Sequence, residues 1–217
     1  MRLPFSETEF LDVFAAYNTA LWPAVVAFWI VTLGFSIALV RGRVHSLALT
    51  AFVAVHWAWE GIAYHAVIFS RINPAGWLFA VLFLVEAVAF LWLGIVRRRL
   101  SFDWGRKPRH LLAGLFIVYS LVYPLLAAIF GHQYPRAPAF AVPCPTALFT
   151  TAILLAAVPP VPRCLFVAPV VWSVIGGSAA VLLGMTPDLM LFAAAFVLLI
   201  HCVDPKKLER PRLGSRL

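Results

Sequence analysis

Apolar residues along this chain fall into seven runs, at about 19–40, 46–69, 74–96, 110–131, 142–161, 164–183 and 187–203, separated by short polar breaks. Each run is close to the roughly 20 residues that carry a helix across a bilayer core of about 30 Å. The breaks hold turn-forming residues: Asn73 and Pro74 between the second and third runs, Gly184 and Pro187 between the sixth and seventh. The pattern predicts an all-α integral membrane bundle of seven transmembrane helices, with no linker long enough to part domains and no internal repeat. The fifth run is the weakest. Only 147–158 is uninterrupted, with Pro143 and Pro145 before it and Pro159, Pro160 and Pro162 after it. A kinked or partly re-entrant helix is expected there, since irregular backbone at membrane depth survives only where protein covers it.

Charge sharpens the picture. Charged residues make up 12% of the 217 positions and hydrophobic ones 63%, against about 25% charged in ordinary soluble domains. The net charge of +8 would suit nucleic acid if it formed a patch, but the basic residues sit between the apolar runs, so no nucleic-acid partner is expected. Fourteen of the seventeen Lys and Arg residues fall on one side of the seven runs, in 41–43, 97–109, at Arg163 and in the tail from Lys206 to Arg216; Arg2, Arg71 and Arg136 fall on the other. The positive-inside rule then places the N-terminus outside and the C-terminus in the cytoplasm. Six crossings would put the basic tail outside, so seven is the expected number.

The start of the chain lacks the basic n-region of a signal peptide and carries Glu7, Glu9 and Asp12 before any apolar run. Ser6-Glu7-Thr8-Glu9 has capping-box spacing, with Phe5 and Phe10 at the staple positions. Over 1–18 either a short surface helix is expected, with Phe10, Phe14 and Tyr17 on its apolar face, or simply the extended start of the first span; the bundle over 19–203 and a basic tail over 204–217 follow. Cys144, Cys164 and Cys202 form no C-x-x-C pair, which argues against a zinc or redox motif and for buried thiols acting as small hydrophobes.

The chemistry-bearing stretch is HWAWEGIAYH, residues 56–65, with Glu86 on the following run. An ionised side chain at the bilayer centre costs at least about 2.5–3.5 kcal/mol, so these groups require partners or a task. At about 100° per residue, His56, Glu60 and Tyr64 form one stripe, while His65 lies about 140° from Glu60 on a regular helix. Only a π-bulge near Gly61 would bring His65 round. Glu60 lies 12 residues before Ile72 and Glu86 lies 13 after Asn73, so in an antiparallel hairpin both carboxyls reach similar mid-depth. Sharing a proton or holding a cation is the chemistry such a pair offers. Interhelical hydrogen-bond glue is the plain alternative, at roughly 0.6–2 kcal/mol per bond.

Other constellations are poorer. No run contains lysine, so a retinal Schiff base has no anchor. His201 and His56 would differ in depth by roughly 6 Å, a poor match for two haem ligands, and the remaining histidines are too dispersed for a di-iron oxygenase. The G-x-S-x-G motif is absent, and Gly176-Gly177-Ser178 reads as close helix packing. No cofactor and no catalytic residue is therefore assigned. Pro124 should kink the fourth helix. Trp22, Trp77 and Trp104 sit near run ends as interfacial anchors, whereas Trp57 and Trp59 flank the polar stripe.

Two stretches, HWAWEGIAYHAVIFSRINPAGWLF (56–79) and YPLLAAIFGHQYPRAPAFAVPCPTALFT (123–150), resemble a family of bacterial multi-pass membrane proteins known only as a domain of unknown function. The resemblance implies a bacterial inner-membrane location and one architecture joining the Glu60 region to the Pro-Cys-Pro segment; it implies no activity. The expected function is handling of a proton, cation or small polar solute at His56, Glu60, Tyr64, Glu86 and His65, with the lipid bilayer as partner. The alternative is a non-catalytic subunit of a larger membrane complex, or a homo-oligomer, with the cluster as glue.

Overall fold

The computed structural model describes residues 4–204 and 208. The basic tail beyond Asp204 lies, Leu208 apart, outside the described residues, as do Met1 to Leu3. Seven α-helices follow in order: α1 (Glu7–Val40), α2 (Ser46–Trp59), α3 (Gly76–Phe90), α4 (Pro108–Ile129), α5 (Pro143–Ala156), α6 (Val167–Leu183) and α7 (Met190–Val203). Two of them change pitch without stopping. α2 runs on as a π-helix (Glu60–Ile68) and a short 3₁₀ turn (Phe69–Arg71), and α3 runs on as a π-helix (Leu91–Val96). Counting these extensions, six helical segments are long and apolar enough to cross a membrane.

Local chemistry sets the ends. Ser6 caps α1: its hydroxyl accepts from the Glu9 N–H at 3.2 Å while the Glu9 carboxylate accepts from the Ser6 N–H at 2.8 Å, and Phe5 stacks on Phe10 at 5.9 Å. The helical start expected over 1–18 is thus present, but it is continuous with the first long helix. Its Phe14 and Tyr17 are buried in the bundle, so the aromatic face is covered by protein. Pro23, which has no N–H to give the turn below it, bends α1 at Leu21 (φ −123°, ψ 16°). At the α2–α3 turn, Asn73 Oδ1 accepts from the Ala75 N–H at 3.0 Å. Gly76 is required there, because a Cβ would lie 2.8 Å from the Ser70 backbone.

α5 is the axis of the bundle. Every residue of it except Cys144 is buried, and it packs chiefly along α4 and α7. Its 14 residues give about 21 Å of helix, well short of a bilayer core. The chain before it, 135–142, is non-helical and is pinned by Asn18, whose side-chain amide donates to the carbonyls of Pro135 (2.7 Å) and Ala137 (2.8 Å), and by Tyr17, whose hydroxyl donates to the Ala141 carbonyl (2.5 Å). At the other end, the loop between α3 and α4 pairs with the end of α5 through Asp103 N–H to Ala156 O (3.1 Å) and Val158 N–H to Ser101 O (2.8 Å). Side chains of α1 therefore satisfy three carbonyls of the non-helical stretch, which has no helical ladder to do so.

The inside of the bundle is closely packed by Phe83, Phe90, Phe116, Phe149, Leu148 and Trp57, all essentially inaccessible. The outside is apolar as well: Ile30, Leu78, Val85, Leu115, Leu125 and Phe196 are exposed on outward faces. Large exposed apolar area of this kind marks contact with a partner or a membrane.

Candidate functional site

The pitch change at Glu60 decides the site. In an i→i+5 ladder the residue five positions on comes round above the first, so the regular-helix geometry that separates His65 from Glu60 does not hold. Tyr64 and His65 both turn toward the same chamber. Gly61 makes this possible against α3, since a Cβ there would lie 3.1 Å from the Ala80 carbonyl oxygen and 3.2 Å from Phe83 Cβ.

Glu60 is completely buried. Its Oε1 accepts from the Thr146 hydroxyl of α5 and lies 3.6 Å from His56 Nε2. The same hydroxyl is 3.2 Å from His56 Nε2. A hydroxyl has one proton to give; with it committed to Glu60, the His56 contact is met by an Nε2–H. Glu60 Oε2 and His56 Nδ1 have no hydrogen-bond partner. On the far side His56 stacks on Phe28 (4.7 Å) and is flanked by Phe52 (5.3 Å) and Phe140 (5.6 Å), so the polar path ends there.

Tyr64 lies within electrostatic reach of Glu60, Tyr17, Cys144 and Asp188. Asp188, buried at the entry to α7, accepts from the Tyr123 hydroxyl of α4, and the Cys144 thiol sits against its carboxyl. Tyr64, His65, Cys144 and Asp188 all line a cavity of about 420 Å³ enclosed by α1, α2, α3, α6 and the start of α5. Among the described residues no Lys or Arg lines it.

Of the five residues singled out in the sequence, the fold joins His56, Glu60, Tyr64 and His65 around one region. Glu86 is buried too, but it is not hydrogen-bonded to Glu60, and its Oε1 has no partner. The hairpin of α2 and α3 does not bring the two carboxyls into hydrogen-bond contact. Trp57 and Trp59 are structural: Trp57 donates to Thr150 Oγ1 at 2.9 Å and packs on Phe83 at 4.4 Å, and Trp59 donates to the Tyr17 hydroxyl at 2.7 Å. Among the described residues no three His, Cys, Asp or Glu side chains gather as a metal would need.

Asp188, Tyr123, Cys144 and Thr146 are the site residues that sequence reasoning passed over. A signal existed for Asp188: only Glu60, Glu86 and Asp188 among the nine acids lie within the seven apolar runs. Thr146 carried none, because its role depends on α5 lying beside α2.

The Thr146 hydroxyl is expected to matter measurably. Thr146→Val keeps the shape and removes the donor to Glu60, which leaves a buried carboxyl oxygen unsatisfied at a cost of roughly 1–3 kcal/mol. Thermal unfolding in detergent should show this as a clear fall in Tm, whereas Thr146→Ser should recover most of it; equal stability of the Val variant would refute the bridging role.

The fold and the site together define a class: an all-helical bundle of six long apolar helices and one buried short one, with a cluster of acid, imidazole and hydroxyl groups beside an aromatic cavity. The chain belongs to the family of unknown function DUF6064, whose model matches residues 7–210. No curated protein and no solved structure matches it.

Proposed function

We propose that this chain is an integral membrane protein that crosses the bilayer seven times, N-terminus outside, and handles a proton or cation through the Glu60–Asp188 cluster. Seven crossings are supported by the alternation of chain ends: six long helices make six passes, and 135–142 with α5 makes the seventh. The orientation rests on the fourteen-to-three split of Lys and Arg between the two sides, and a bacterial inner membrane is the setting this reading assigns.

The observation that carries the proposal is the company Glu60 keeps. A fully buried carboxyl meets a hydroxyl and an imidazole and no Lys or Arg, while Tyr64 lies within electrostatic reach of both it and a second carboxyl, Asp188, on a cavity. Buried acids held only by groups able to give or take a proton suit relay chemistry better than a fixed ion pair does. The aromatic layer of Phe28, Phe52 and Phe140 closes the path beyond His56, and passage to the other side needs that layer to part. Proton flux into vesicles reconstituted with the purified chain tests the reading: Glu60→Gln and Asp188→Asn should each suppress it, and flux equal to that of protein-free vesicles for the unaltered chain would overturn it.

A further inference from the structure

The cavity beside the cluster has a composition of its own. Its walls include the rings of Phe10, Phe14, Tyr64, Phe69, Phe79 and Trp172, held against one another by ring contacts such as Phe10–Phe14 at 5.0 Å, Phe14–Tyr64 at 5.9 Å and Phe79–Trp172 at 5.4 Å. At about 420 Å³ it falls within the range of roughly 300–1,000 Å³ typical of small-molecule sites. Two polar features interrupt the apolar wall. His65 is fully buried, and neither ring nitrogen has a hydrogen-bond partner. Asp188 is buried with Tyr123 and Cys144 against its carboxyl; a carboxylate offers about four lone-pair sites, so accepting positions remain.

Sign and chemistry select the occupant. An anion would meet Asp188 with no basic residue among the described lining residues to offset it. A wholly apolar guest would bring the Asp188 carboxyl neither a donor nor a counter-charge, which is unfavourable in a buried site. A cation with an apolar body answers the carboxyl with opposite charge and the rings with apolar surface, and aromatic faces attract ammonium groups more strongly away from water. We infer that this chamber binds a small organic cation, an ammonium group carrying an apolar or aromatic body, with the head at Asp188 and the body among the phenylalanine rings. The inference rests on the reading of the cluster as a solute-handling site, and it names the class of solute.

Equilibrium binding tests it without requiring flux. The full chain in nanodiscs is titrated calorimetrically with benzyltrimethylammonium, neutral N-benzylacetamide and anionic phenylacetate, with empty nanodiscs subtracted. The expected result is saturable binding of the cation, about tenfold or more tighter than the amide, and none of phenylacetate. Asp188→Asn should weaken the cation about tenfold and leave the amide unchanged. If that variant does not fold, the cation-to-amide ratio on the unaltered chain decides. Equal affinity for cation and amide, no saturable cation binding at millimolar concentration, or full cation affinity in Asp188→Asn would each overturn the proposal. Binding of the cation in a chain that shows no proton flux would uphold this inference while removing the relay; flux without cation binding would do the reverse.

Discussion

Glu60→Gln is expected to lower proton flux in reconstituted vesicles by about 100-fold or more, the scale on which removal of a positioned proton-transfer group acts. Glutamine fills the same volume and still accepts from Thr146, so the fold is retained; what it lacks is an exchangeable acid proton. Asp188→Asn should act in the same direction, because the proposed relay runs from the cavity past Tyr64, which lies within electrostatic reach of both carboxyls, to Glu60. Glu86→Gln supplies the contrast. Glu86 is buried on α3 but not hydrogen-bonded to the cluster, so flux should stay within about twofold of the unaltered chain while only stability changes. The measurement uses a pH-sensitive dye trapped in vesicles under a potassium diffusion potential, at matched protein incorporation checked by gel. A Glu60→Gln chain that folds and conducts normally would remove Glu60 from the path, and an effect of Glu86→Gln equal to that of Glu60→Gln would show that burial alone, not connection, decides.

Much of this arrangement is legible in the sequence, and what is not has physical reasons. The apolar runs at 46–69, 74–96, 110–131 and 164–183 return as Ser46–Arg71, Gly76–Val96, Pro108–Ile129 and Arg163–Leu183, because run length and Pro or Gly breaks act locally. The capping box at Ser6 and Glu9 is equally local. The doubt over the fifth run was well placed, since flanking prolines shorten α5 to Pro143–Ala156. Its burial on all sides could not be read, because an apolar helix facing lipid and one facing protein have the same composition. The π-helix at Glu60–Ile68 was the decisive miss for the site. Gly61 permits it, but the pitch is set by tertiary packing of α2 on α3, to which a one-helix projection is blind. Asp188 was overlooked for a related reason: it stands in a 3₁₀ turn at Thr186–Leu189, and only the approach of α4 and α5 reveals that it meets Tyr123 and Cys144.

Asp103→Ala should be the most damaging single change at the opposite end of the bundle. Arg109, on the first turn of α4, is completely buried. Its guanidinium donates to the carbonyls of Leu155 (2.7 Å) and Ala157 (2.8 Å) and to Asp103 Oδ1, so one cation joins α4, the end of α5 and the loop before α4. The Asp103 carboxyl also meets His110 Nε2 at 3.1 Å and Lys107 Nζ at 3.5 Å. Removing the carboxylate takes one counter-charge from the buried guanidinium, a loss bounded by the about 3–5 kcal/mol of fully buried pairs and reduced here because the Asp103 side chain is 39% exposed. Partial burial works against the Asp103 charge, but Arg109, and then His110 and Lys107, outweigh it and hold the carboxyl below its usual range. A carboxyl whose folded-state pKa is depressed contributes stability that is complete above its unfolded pKa and is lost as pH falls through the folded one. The unaltered chain should therefore lose Tm as pH drops below about 4, and Asp103→Ala should begin with a lower Tm at pH 7 and lose less of it on acidification. Thermal melts in detergent at pH 7, 5 and 3 check both halves. Parallel losses in the two chains would mean that other acids carry the pH response, and an unchanged Tm at pH 7 would mean that the other partners of Arg109, the Leu155 and Ala157 carbonyls among them, suffice to hold it.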